Sequence, residues 1–169
     1  MKIDELMFAE SDGVPNNPRL PVLVYNRAID VSGDAARDFE MRFHANDWGA
    51  LWRNGVFGYQ HYHSQAHEVL GIATGSARLL IGGPAGRELE VAAGDVIVLP
   101  AGTGHRRLMA SNDFLVVGGY PPGQRGDIQR PPTTEADREA IASVPLPRLD
   151  PVLGADGPAV TVWRRAVRA

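Results

Sequence analysis

The chain has 169 residues, 44% of them hydrophobic and 22% charged, which is enough to bury a sizeable core without cross-links. A net charge of -3 with no Lys/Arg-rich run gives no electrostatic case for nucleic acid or an anionic membrane surface. There is no cysteine, so disulfides, thiolate zinc sites, iron–sulfur clusters and thiol nucleophiles are excluded, and any metal must be held by nitrogen and oxygen.

The N-terminal residues Met1–Leu6 interrupt their apolar side chains with charges and form no signal-like core. No stretch approaches membrane-spanning length, so a cytoplasmic location is expected. After a turn-rich stretch at 12–18, the run 20–25 (Leu20-Pro21-Val22-Leu23-Val24-Tyr25) predicts a strand, and its prolines place it at a sheet edge or a strand start. Over 34–44, Ala36, Phe39 and Phe43 recur at helical spacing, with Ser32 or Asp34 as N-cap, and predict an amphipathic helix that leaves His44 exposed. Trp48 and Trp52 follow before the Asn54-Gly55 turn; with Trp163 they are read as packing residues.

Nineteen glycines and thirteen prolines fall mostly between short apolar runs, which favours many strands joined by turns. Strands are predicted at 56–63, 68–74, 77–81, 87–91, 95–99, 105–109 and 114–119. Gly82–Gly86 and Ala92–Asp95 form turns between them, a rhythm that argues for a sandwich or barrel. The segment 121–132 is too proline-rich for a central strand. Thr133 or Thr134 then caps a short helix over 135–143 with Ala136, Ala140 and Ile141 inward, and the alternation Val160-Thr161-Val162-Trp163 predicts a final strand. The expected organisation is one domain over 1–169, with its core at about 50–120, an N-terminal strand and helix at about 18–46, and a C-terminal region at about 121–169.

Alternate side chains of a strand share a face, so His61 and His63 can offer two imidazole nitrogens to one ion. Parity cannot be carried through Ser64-Gln65-Ala66, so either His67 or Glu68 faces inward next. With Glu68 inward, Leu70, Ile72 and Thr74 share its face; with His67 inward, Val69, Gly71 and Ala73 do. The turn Gly102-Thr103-Gly104 delivers His105. Tyr59 has the parity of His61 and His63, and Arg107 that of His105, which makes both candidates for lining a substrate pocket; the planar fork of Arg107 suits a carboxylate. Nitrogen and oxygen donors without sulfur suit iron, manganese, nickel, cobalt or zinc. No activated-serine motif or phosphate-cradling glycine loop occurs.

The spacings G-x5-H-x-H-x4-E-x6-G (Gly55, His61, His63, Glu68, Gly75) and G-x5-P-x-G-x2-H (Gly94, Pro100, Gly102, His105) resemble the two motifs of the cupin superfamily. Met109 stands where the second motif often ends in asparagine. The segments Asn16-Asn17-Pro18, His61-Tyr62-His63-Ser64 and Gly154–Pro158 are similar to those of single-domain bacterial cupins of the YjlB type. The resemblance implies a mainly β fold, a double-stranded β-helix or jelly-roll barrel with a few short flanking helices. It implies His61, His63, Glu68 and His105 as ligands of one divalent metal, since the distance to Gly75 fits Glu68 and not His67. Two positions of an octahedral shell would be left for water, dioxygen or a chelating substrate. It also implies a homodimer, with the run 20–25 available to pair across the interface. Three functional classes follow: a metal-dependent enzyme with dioxygenase-like or isomerase-like chemistry on a small organic molecule, a metal-free isomerase or epimerase with a histidine base, and a non-catalytic small-molecule binding module. Fold alone does not choose among them.

Overall fold

Strands that are apolar on both faces need cover on both faces, and the chain builds three layers to supply it. The computed structural model describes residues 1–169. The middle layer is a six-stranded antiparallel sheet in the order β1 (Lys2–Leu6), β2 (Val22–Asn26), β7 (Val96–Leu99), β4 (Glu68–Thr74), β9 (Leu115–Tyr120), β3 (Gly49–Asn54). A three-stranded antiparallel sheet, β6 (Arg87–Ala92), β5 (Ser76–Ile81), β8 (His105–Ala110), covers one face. The helices α1 (Ala35–Ala45) and α3 (Pro158–Arg168) bury side chains against the other; α2 (Glu135–Ser143) buries only Ile141.

Strand alternation divides the core accordingly. In β4, Val69 and Ala73 join the helix-side cluster with Phe39, Phe43, Trp48 and Trp163. Leu70 and Ile72 join the cluster between the sheets with Leu79, Ile81 and Val91. In β7, Val96 and Val98 take the helix side, and Ile97 and Leu99 the inter-sheet side. Gly71 lets α1 approach β4, because a Cβ there would lie 2.9 Å from the rings of Phe39 and Phe43. The fold is thus the mainly β, two-sheet barrel with flanking helices that the motif resemblance implies. No helix is long and apolar enough to cross a membrane.

The N-cap of α1 is Asp34, whose side chain accepts from the Arg37 N–H, and that of α2 is Thr134. Five expectations are corrected. The predicted strand 56–63 is a segment with only isolated bridges, because its backbone partners are divided between two places in the chain, His105 for His61 and Gln129 for Tyr62. The predicted final strand at 160–163 is part of α3: Pro158 opens the helix, and Ala159, Val160 and Trp163 define a buried stripe at helical spacing that a four-residue alternation imitates. Neither β1 nor β3 was expected, since charged residues break their apolar pattern. In α2, Ala136 is exposed and Ala140 only half-buried. Of the two places offered for the run 20–25, the strand start holds, with Pro21 directly before β2, and the edge does not: β2 is hydrogen-bonded to β1 on one side and β7 on the other, so it is not free to pair across an interface either.

Candidate metal centre

His105 opens β8 directly after the turn Pro100–Gly104. Gly102 sits at φ +90° within that turn, and a Cβ there would lie 2.7 Å from the Asn16 carbonyl oxygen, so only glycine fits without strain. The turn is pinned from outside: Gly104 N–H donates to Asn16 Oδ1 at 3.0 Å, and Asn17 Nδ2 donates to the Ala101 carbonyl at 3.0 Å. His61 pairs with His105 through both backbone groups, and the His63 carbonyl accepts from Gly102 N–H at 2.7 Å. These contacts converge three buried histidines, one ring nitrogen of each lying within 4.8 Å of the others.

The backbone decides which nitrogen faces inward. Nδ1 of His61 stands 3.1 Å from the Tyr59 carbonyl and Nδ1 of His105 stands 2.9 Å from the Thr103 carbonyl, while Nδ1 of His63 meets the Asp127 carbonyl. A carbonyl only accepts, so each Nδ1 carries the hydrogen. The Nε2 atoms are thereby left for the shared space, the arrangement by which an outer hydrogen bond orients a metal-binding imidazole.

Glu68, the first residue of β4, lies against two of the three. Its Oε2 is 3.0 Å from His63 Nε2 and its Oε1 is 3.3 Å from His105 Nε2, although its carboxylate is not part of the mutually close set. The His63 contact is short but misdirected for a hydrogen bond, so Nε2 is a buried nitrogen without a directional partner and the attraction is one of charge. Burial opposes a charge on His63, yet the Glu68 carboxylate, followed by Asp127, outweighs it and raises the imidazole to about 9. Burial also opposes ionisation of Glu68, and the two neighbouring histidines overcome it, holding the carboxyl well below its usual range. His61 is pushed the other way, down to about 3, by burial and then by the charge of His105.

His67 points to the other side of β4. Its ring packs 4.9 Å from that of Trp163, its Nδ1 accepts from Ala101 N–H at 2.9 Å, and burial lowers it to about 3. Leu70 and Ile72 share the face of Glu68, and Val69 and Ala73 that of His67. Tyr59 supports His61 through its carbonyl and packs its ring edge-on against that of His61 at 5.6 Å and on Phe57 at 4.9 Å, under the Arg130 guanidinium, behind the residues that line the recess. Arg107 is exposed on β8 and stands outside the lining as well.

The histidines and Glu68 line a recess with a cavity volume of about 150 Å³ that opens to solvent. Three further residues shape it. Trp52, read from the sequence as packing, lines the recess, and its Nε1–H donates to the Tyr120 hydroxyl at 3.1 Å. Tyr120 lines it too, and burial, then Glu68, raises its phenol above the usual range. Asp127 lies on the 121–132 crossing: its Oδ1 accepts from the N–H groups of Ser64 and Gln65, each at 2.9 Å, and its Oδ2 from Ser64 Oγ at 2.5 Å. Parity with Val116 and Gly118 was the available signal for Tyr120; nothing local marks Asp127.

No protein-family model matches the chain. The Bacillus subtilis (strain 168) protein YjlB is 35% identical to it over 158 residues, 92% of this chain and 93% of that protein. Among solved structures, acireductone dioxygenase from Bacillus anthracis, with a cadmium ion in its active center, superposes with a TM-score of 0.39 at 17% identity, over 63% of this chain and 78% of that one. Bacillus subtilis oxalate decarboxylase, a protein with Mn(II) centers, gives a TM-score of 0.38 at 18% identity, over 68% of this chain and 29% of that one. Neither likeness bears on which metal or substrate this chain takes.

Proposed function

This chain belongs to the YjlB family, and on that premise we propose that its three-histidine recess is a divalent metal centre at which a small organic molecule is bound and transformed. The observation that carries the reading is the common tautomer: three imidazoles spend Nδ1–H on backbone carbonyls and turn Nε2 toward one point. His63 Nε2, buried and without a directional partner, is a nitrogen that an ion would satisfy. His61, His63 and His105 would hold the ion, with Glu68 as the fourth ligand, because its two oxygens already stand beside His63 and His105. Iron, manganese, nickel, cobalt and zinc all suit these donors.

A divalent ion there supplies Lewis acidity at a ligand oxygen. The protein would supply the rest: His63 would release its Nε2 proton to solvent as it takes the ion, Trp52 and Leu70 exclude water from the recess, and Tyr120 offers a hydroxyl at its wall. The alternative of a metal-free histidine base needs an imidazole poised near working pH. Two of the three imidazoles stand away from that range in the metal-free recess, His61 lowered to about 3 by burial and His63 raised to about 9 by Glu68.

The test is metal analysis of protein purified without a histidine tag. Near-stoichiometric metal that is lost in His61→Ala and His105→Ala, with the fold retained by circular dichroism, is the expected result. Protein that takes up none of the five metals after supplementation would remove the basis of the proposal. Turnover against a panel of small organic molecules, with oxygen consumption followed, then distinguishes an enzyme from a binding module.

A further inference from the structure

We infer that the recess takes a small, largely apolar molecule which turns an oxygen-donor head toward the histidines and carries no second charge at its far end. The inference rests on the metal reading and extends it to the class of substrate. The walls above the histidines are Trp52, Val56, Phe57, Leu70 and Ile128. Phe57 and Ile128 remain 42% and 50% exposed, and large apolar side chains left open at the rim of a recess are surface that a ligand would cover.

Charge points the same way. No lysine or arginine is among the lining residues, and Glu68 is the only charged side chain outside the histidines. The nearby arginines stay outside the lining: Arg130 lies 4.5 Å over the Tyr59 ring, Arg53 is paired with Glu40, Arg125 is exposed, and Arg107 rests its guanidinium beside Gly58 on the outer side of the rim. A carboxylate held against the apolar wall would find no cation among the lining residues to meet it, at a high desolvation cost.

Tyr120 adds a polar contact at the head. Its oxygen already accepts the Trp52 Nε1–H, which leaves its own O–H to donate into the recess. Glu68 occupies that direction in the free protein. A head oxygen seated beside the histidines would compete for the same hydroxyl.

The experiment uses full-length protein loaded with Co(II), whose uptake is measured first by elemental analysis. Acetohydroxamate, benzohydroxamate and 4-carboxybenzohydroxamate share one chelating head and differ in the tail; their binding is followed by calorimetry and by the Co(II) absorption bands. Benzohydroxamate should bind about tenfold or more tightly than acetohydroxamate, and the 4-carboxy compound should lose that gain. Phe57→Ala with Ile128→Ala should bring the first ratio to within about twofold, and Tyr120→Phe should weaken benzohydroxamate roughly five- to tenfold while Co(II) content stays unchanged. Equal binding of the two uncharged hydroxamates, or tighter binding of the 4-carboxy compound, overturns the inference and leaves the metal centre standing. Failure to take up Co(II), or any of the other four metals, overturns both, and elemental analysis registers it before any hydroxamate is added.

Discussion

Asp127 offers the sharpest perturbation of the candidate centre, because it holds His63 from behind without lining the recess. Its carbonyl meets His63 Nδ1, while its carboxylate accepts two bonds from Ser64, one from the Gln65 N–H and one from Gln129 Nε2 at 3.1 Å, a half-buried side chain that can turn to solvent. Ser64 is buried and Gln65 is exposed, so in Asp127→Ala the two Ser64 donors lose their partner where water enters poorly, and the Gln65 N–H turns to solvent. Hydrogen bonds to an ionised acceptor contribute about 1.5–3 kcal/mol each, and Asp127 is itself half-exposed, so the low end applies: about 3 kcal/mol in all. For a chain of this length that is a drop of about 6–12 °C in Tm. Because the loop then no longer orients the His63 ring, metal affinity should fall about 10–100-fold, the range seen when an outer partner of a ligand is removed. Asp127→Asn should keep its amide oxygen on the two backbone N–H groups that Oδ1 now serves and lose the two bonds that Oδ2 accepts, from the Ser64 hydroxyl and Gln129 Nε2, for a cost of about half. Differential scanning fluorimetry gives the first number and competition against a chromophoric chelator the second. Unchanged metal affinity in Asp127→Ala, within about threefold, would show that the loop only fastens the chain and does not set His63.

Three further outcomes are expected. The stability of metal-free protein should peak near the ordinary histidine value of 6.5. Below it, the unfolded chain binds protons that native His61 and His67, both lowered to about 3, refuse, so stability falls with falling pH. The slope there should reach about 2.7 kcal/mol per pH unit for the pair. Above it, native His63, raised to about 9, keeps a proton that the unfolded chain has lost, so stability falls again as pH rises. That limb should slope by about 1.4 kcal/mol per unit and should vanish when bound metal has displaced the proton. Urea titrations between about pH 5 and 9, with and without metal, read both limbs, and an alkaline limb unaffected by metal would contradict the assignment of His63 as a ligand. Tyr25→Phe removes the hydroxyl that donates to the fully buried Asp150, leaving that carboxylate its bonds from Val152, Leu153 and Ala159; urea unfolding should show a loss of about 1.5–3 kcal/mol with metal binding intact. Gly102→Ala forces a Cβ toward the Asn16 carbonyl at a positive φ and should cost about 1–3 kcal/mol while displacing His105, so its metal affinity should fall in parallel; a variant as stable and as metal-loaded as the parent would refute the account of the turn.

The parts of the fold that were legible in the sequence are those in which one strand or helix carries its own pattern. The strand at 68–74 shows this best: choosing Glu68 as the inward residue fixed Leu70 and Ile72 on the same side, and those two pack between the sheets while Val69 and Ala73 pack under α1. The helix at 34–44 had a cap, a stripe and a boundary in eleven residues, and it forms with Asp34 as the cap. Short elements without a period of their own were not legible. β3, with its sequence GALWRN, is a strand because β9 pairs with it, and Val160–Trp163 is helical because Pro158 opens α3 and Trp163 finds a slot where its Nε1–H reaches the Pro21 carbonyl. Such outcomes are decided by partners far away in the chain.

The same distinction separates the two shells of the candidate centre. His61 and His63 were readable together from the parity of one extended segment and His105 from the turn before it, whereas Glu68 was chosen over His67 only by the motif resemblance, through its distance to Gly75. Asp127, Trp52 and Tyr120 reach the centre across sequence separations that no spacing encodes, Asp127 bonding residues 63 and 62 positions away and Trp52 bonding Tyr120 at 68. The outer residues are also the ones that give this centre its own character. Three histidines and a carboxylate suit any of five metals and many reactions, but the absence of a basic side chain from the lining, the open Phe57 and Ile128, and the single phenol at the head restrict what can sit there. On the proposed reading, selectivity for a substrate would reside mainly in residues that only the fold brings together, so the ligand is to be sought from the walls of the recess before the metal.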